Sequence, residues 1–183
     1  IASPNWQCAD ALGQAPCGAV TWMSGTVGLN GTVDASNSLV GSSPGDTVGR
    51  FVFSLANGDY VVRGNGSQIG AGSVGTLTRG NGLTGRSGAV TSANSVVGTF
   101  ANDLIGDSVQ LLPNGDIVIV SESWGGARGA VTQIRAGNAF TGVIDSSNSL
   151  VGTTAGDQIG RFGDGGGDGG GGVIVLSNGN YVV

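Results

Sequence analysis

The chain reads as an all-β protein of three tandem four-stranded, antiparallel, blade-like repeats. Three observations lead there. Asn57-Gly58, Asn114-Gly115 and Asn178-Gly179 each join an apolar run to a β-branched or aromatic run, the mark of a β-hairpin. Asn37-Ser38-Leu39-Val40-Gly41 returns at Asn94 and Asn148, at offsets of 57 and 54 residues. Nine residues after each of those asparagines stands an Asp (Asp46, Asp103, Asp157) followed by x-apolar-Gly. Four short strands per unit at this period is the pattern of propeller blades; a closed three-unit β fold and a β-solenoid are the alternatives.

The strands follow in order. The first runs into the Asn-Gly turn (Phe51 to Leu55, Val109 to Leu112, Val173 to Leu176), and the second leaves it (Tyr60 to Val62, Ile117 to Ser121, Tyr181 to Val183). The third is Gly-Ala-Val-Thr (Ala19 to Trp22, Ala130 to Ile134), with Gly72-Ser73-Val74 as its counterpart in the middle unit. The fourth is placed before the Asn-Ser-Leu-Val-Gly element (Gly31 to Asp34, Gly88 to Thr91, Gly142 to Asp145). No helix is expected, because Gly interrupts every window long enough for one. The units span about 1–62, 63–119 and 120–183, as one repeat domain or a segment of a longer array, with a Gly-rich insertion at 163–172.

Composition narrows the chemistry. Of 183 residues 38 are Gly and 10% are charged; His and Lys are absent, and Glu122 is the one Glu. Without His or Lys, Ser-His-Asp, Cys-His and Lys-assisted nucleophiles are unavailable, and no non-repeat carboxylate pair can be nominated, so a non-enzymatic role is expected. The net charge of −5 offers no basic patch to nucleic acid. No apolar run would cross a membrane. Cys8 and Cys17 read as a disulfide, which would point to an oxidising, extracellular or cell-surface setting, with two reduced structural thiols as the alternative.

Recurrence three times over gives Asp46, Asp103 and Asp157 a turn role, accepting backbone N–H groups, while Asn37, Asn94 and Asn148 cap turns or visit the left-handed region, and Asn57, Asn114 and Asn178 are expected to share positive φ with the Gly that follows. Trp6, Trp22 and Trp124 sit at strand ends, suited to packing between units or to stacking on a sugar. Asp164 and Asp168 in the Gly-rich insertion are weak metal candidates that lack the spacing of a calcium loop, and a cation-ligand role is the lesser alternative for Asp46, Asp103 and Asp157. Ile1-Ala2 reads as the continuation of the strand Tyr181-Val182-Val183. These strand ends are therefore expected either to meet in a ring or to join further copies head-to-tail.

Gly45-Asp46-x-Val48-Gly49, then an apolar strand and Asn57-Gly58-Asp59-Tyr60-Val61-Val62, resembles the FG-GAP repeat of integrin α-chain-type β-propellers. It is also similar to the degenerate tandem repeats of large secreted bacterial surface proteins. The resemblance implies blades, an extracellular location and an adhesive or structural role. The family's Asp-x-Asp-x-Asp-Gly calcium loop is replaced here by tight Asn-Gly turns, so no calcium site or other cofactor carries over. The expected partners are further copies or adjacent repeats, and the expected function is a surface fibre or adhesive scaffold; a lectin-like glycan-binding module is the alternative.

Overall fold

The computed structural model describes residues 1–8, 15–66, 72–161 and 172–183. Unit 1 contributes β1 (Ala2–Ser3), β2 (Ala19–Thr21) and β3 (Ser38–Val40). Grouped by sheet instead of by the sequence boundaries 1–62, 63–119 and 120–183, unit 2 begins with the hairpin at Asn57 and contributes β4 (Phe51–Ser54), β5 (Tyr60–Gly64), β6 (Thr76–Gly80), β7 (Gly88–Ala89) and β8 (Val96–Val97). Unit 3 contributes β9 (Ser108–Leu111), β10 (Ile117–Ser121), β11 (Ala130–Ile134), β12 (Gly142–Val143) and β13 (Ser149–Val151). A hairpin of β14 (Ile174–Val175) and β15 (Tyr181–Val182) follows. The protein is all-β with three tandem units, as its sequence predicts.

Within each unit the strands pair antiparallel, in the order β4-β5-β6-β8 and β9-β10-β11-β13. Two assignments made from sequence are corrected. The fourth antiparallel strand is the Asn-Ser-Leu-Val-Gly element itself, as β3, β8 and β13, and not the segment before it. That earlier segment leaves its own unit: β7 pairs parallel with β3, and β12 pairs parallel with β8. Gly31 to Asp34, the unit 1 counterpart, forms no strand. The second correction concerns the middle unit, where the match to Gly18 and Gly129 is Gly75 rather than Gly72. A Cβ at Gly18, Gly75 or Gly129 would lie 2.2–2.3 Å from the main-chain nitrogen of Val48, Ile105 or Ile159, so the close approach itself requires glycine.

The hairpin turns also differ in detail. Only Gly58, Gly115 and Gly179 take positive φ (89°, 87° and 85°). Gly58 N–H returns to the Leu55 carbonyl at 2.9 Å, while the Asn57 side chain accepts the Asp59 N–H at 3.1 Å. The asparagine thus caps the turn with its side chain instead of adopting the left-handed region. Near Trp124–Ala127 the chain makes a single turn, α1, in which Gly125 and Gly126 have φ of 63° and 75°, so it is no right-handed helix.

Period-two alternation sends each central strand into two cores. On β5, Val61 packs with Leu77, Ile105 and Ile119 between units 2 and 3, while Val62 packs with Val20, Leu39 and Val48 between units 1 and 2. On β10, Ile117 and Ile119 face back towards unit 2, while Val118 and Val120 face forward to Val173 and Val175. Sheets therefore stack face to face, each apolar on both sides, which explains why these strands read as unbroken apolar runs.

Candidate functional site

The junction between successive units is built from the three recurrent polar residues. Asn94 Nδ2 donates to the Ala89 carbonyl at 2.8 Å, while its Oδ1 accepts Thr91 N–H at 3.0 Å and the Ser95 hydroxyl at 2.8 Å. Because the Ser95 proton is committed to Asn94, the buried Thr78 hydroxyl, 2.7 Å away, must donate to Ser95. Thr21-Ser38-Asn37 and Thr132-Ser149-Asn148 repeat this relay, with Nδ2 reaching the Thr32 and Val143 carbonyls at 2.7 Å each. Asparagine thus ties the crossing segment to the edge strand of its own unit.

The crossing segment then docks on the preceding unit. Val90 N–H donates to Val40 O at 2.9 Å, and Ile144 N–H to Val97 O at 3.0 Å. Val90 lies in the same core as Leu39, and Ile144 in the same core as Val96, so both edge residues are sealed, at 1% and 3% exposure. Leu150 is the register equivalent on β13, opposite Val131 as Leu39 is opposite Val20. No crossing segment pairs with β13 among the described residues, and Leu150 is 57% exposed. The forward face of the last hairpin is open as well, with Ile174 at 66% and Val182 at 52%.

The aspartates hold the adjoining turn. Oδ2 of Asp46 accepts N–H from Ser42 and Ser43, that of Asp103 from Thr99 and Phe100, and that of Asp157 from Thr153 and Thr154, all at 2.7–2.9 Å. The residue after each, Thr47, Leu104 or Gln158, has φ of 45–48°, a left-handed conformation at a non-glycine. Asp103 also reaches across the junction, accepting Gly125 N–H through Oδ1 at 2.8 Å. At the hairpin, burial pushes Asp59 upward, but the Gly82 N–H and the Arg79 guanidinium outweigh it and hold the carboxyl below its ordinary value. Asp116 is lowered chiefly by the Ala136 N–H.

The tryptophans behave differently from one another. Trp124 is buried, donates to Ile144 O at 3.0 Å, and meets Phe100 edge-on at 5.8 Å, under the Arg128 guanidinium at 4.9 Å. Trp22 bridges units 1 and 2 by donating to Gly82 O at 3.0 Å. Trp6 is half-buried, and its carbonyl accepts Cys17 and Gly18 N–H, as that of Trp124 accepts Arg128 and Gly129 N–H. Cys8 and Cys17 are disulfide-bonded. Ile1 O and its ammonium both pair with Thr21, so Ile1–Ser3 lies on β2, while β15 pairs with β14. Asp164 and Asp168 lie outside the described residues.

Sequence reasoning missed one carboxylate pair. Asp107 accepts Glu122 N–H at 2.8 Å and pairs with Arg63 at 3.2 Å; burial first, then Asp107, raises the Glu122 carboxyl. Among the described residues no group of three His, Cys, Asp or Glu could hold a metal, and no helix is long and apolar enough to cross a membrane.

No curated protein and no solved structure matches the chain. One family model does, three times in tandem, at residues 1–50, 54–107 and 111–161. Each match ends near the Asp-x-apolar-Gly landmark and takes in one edge strand with its asparagine relay. The chain therefore belongs to the family described as a repeat of unknown function (DUF5650).

Proposed function

We propose that this is a non-enzymatic structural repeat protein whose units associate head-to-tail by parallel strand handover, forming a fibre or larger surface structure. The observation that carries the reading is the Leu150 edge, open where Leu39 and Val96 are sealed. We take as its occupant the crossing segment of a further unit of the same kind, an adjacent repeat or, for this chain in solution, another copy. Unit 1 holds one ready: Asn37 grips Thr32 O at 2.7 Å and Asp34 N–H at 3.2 Å, as in the two engaged segments. By register, Val33 N–H of one copy donates to Val151 O of the next, and the Val33 side chain covers Leu150. Strand addition of this kind supplies both affinity and direction, and a head-to-tail contact propagates unless it closes. The Cys8–Cys17 disulfide supports an extracellular setting, as does the likeness to FG-GAP-type repeats.

Light scattering on the chain and two variants tests this. The unaltered chain is expected to form concentration-dependent oligomers, and Leu150→Asp and Val33→Pro should each abolish them. Mixed in equal amounts the two variants retain one intact edge and one intact segment, so they should restore a dimer and nothing longer. A chain that stays monomeric at about 100 μM, where a contact of micromolar affinity would be saturated, would sink the proposal.

A further inference from the structure

The junctions between units also open into two clefts at repeat-equivalent positions. The first, about 440 Å³, is lined by Trp22, Val27 and Leu29 of unit 1 and by Arg86 of unit 2. The second, about 600 Å³, is lined by Arg79, Asn81 and Arg86 of unit 2 and by Asn138 of unit 3. Trp22 follows Thr21 as Arg79 follows Thr78, and Arg86 precedes Gly88 as Phe140 precedes Gly142, so the same architecture makes both. Thr84, Gly85 and Arg86 line both clefts, which places the two side by side, and a chain-like ligand that fills both would pass over these residues.

Their hydrogen-bonding capacity is one-sided. In the second cleft the one carboxylate, Asp59, is already taken by Arg79 at 2.6 and 3.0 Å and by Gly82 N–H at 3.0 Å. Asn81 Oδ1 is taken by Leu83 and Thr84 N–H at 2.8 and 2.9 Å, which leaves its amide donors. Arg86 is exposed and forms no ion pair among the described residues. No acidic residue lines the first cleft, where Val27 is 86% exposed beside the Trp22 ring. A guanidinium and amide donors on one side, with an indole and aliphatic surface on the other, suit a ligand that is anionic, rich in hydroxyls and flat on one face.

We infer that the paired clefts bind a linear acidic saccharide. A uronate carboxylate takes the Arg86 fork, ring hydroxyls accept from Asn81 and Asn138, and a pyranose face lies on Trp22. A neutral glycan would draw no charge-assisted bond from the guanidinium, and a nucleic acid would meet a protein of net charge −5.

The probe is a hexameric oligogalacturonate, titrated calorimetrically into the chain beside its methyl-esterified form. The acid form is expected to bind, and less tightly as salt is raised. The ester should bind at least about tenfold more weakly, as should the acid form to Arg86→Gln, with Arg86→Lys in between. Arg86→Gln should melt with the unaltered chain, since the side chain is exposed and makes no ion pair among the described residues. Trp22→Phe, which keeps an aromatic floor, should lose only part of the affinity. Equal binding of the ester, undiminished binding by Arg86→Gln, or no heat at about 1 mM ligand would overturn the inference. The Leu150→Asp chain should bind the hexamer unchanged, which separates this site from the assembly edge.

Discussion

Replacing Asp103 by Ala should cost far more than the same change at Asp157, although the two occupy the same place in the repeat. Asp103 is 1% exposed and its carboxylate accepts three N–H groups, from Thr99, Phe100 and Gly125, at 2.7–2.8 Å. Removing an acceptor from a buried donor costs about 1–3 kcal/mol per group. Water can reach part of the Thr99-Phe100 turn, so a total of about 3–5 kcal/mol is expected, including the lost link between units 2 and 3. Asp157 is exposed, as are its partners Thr153 and Thr154, and water can replace the carboxylate. A loss of about 1 kcal/mol, that of an ordinary turn or helix cap, is expected there. For a chain of this size each kcal/mol moves the midpoint by roughly 2–4 °C, so Asp103→Ala should melt about 10 °C lower and Asp157→Ala only a few degrees lower. Thermal melts followed by circular dichroism and calorimetry measure both. Equal shifts would refute the argument, because they would mean that the motif acts locally and the junction adds nothing.

Other expectations concern backbone approach, the disulfide and pH. Gly98→Ala should unfold units 2 and 3, since its Cβ would sit 2.2 Å from the Val74 carbonyl oxygen, whereas Gly25→Ala meets nothing and should be silent in the same melt. Reducing Cys8–Cys17, nine residues apart, should destabilise the chain by about 2–3 kcal/mol, the loop-closure entropy of so short a ring, measured as a shift in urea midpoint. Asp34, Asp59 and Asp145 all have folded values below the ordinary carboxylate value of 3.8. Their stabilisation is therefore present above that value and lost as pH falls through the lowered folded ones, so the midpoint should drop on acidification below about pH 4. Asp59→Asn should flatten that drop, and an unchanged acid limb would show that Arg79 and Gly82 contribute nothing through Asp59.

The repeat's polar landmarks were legible because their partners lie close in sequence. Asn37 bonds Asp34 and Ser38, Asp46 bonds Ser42 and Ser43, and Asn57 bonds Asp59, contacts that depend on local spacing alone. Composition and the Asn-Gly period likewise determined an all-β, three-unit chain, as short apolar runs joined by tight turns and interrupted by glycine leave little else to form. The destination of the crossing segments was not legible. Gly88 to Thr91 reads as a strand, but its pairing with a sheet about fifty residues upstream is a long-range choice, made by the open edge of β3 and the buried place waiting for Val90. The clefts are further still from any sequence signal, because Trp22 and Arg86 come together only when two units stack. Sequence alone determined the repeat, its hairpins and its polar turns; the tertiary structure decided which segment closes each sheet and how units join, because short-range hydrogen bonds are encoded by spacing, while the burial that chooses a partner exists only after the sheets have met.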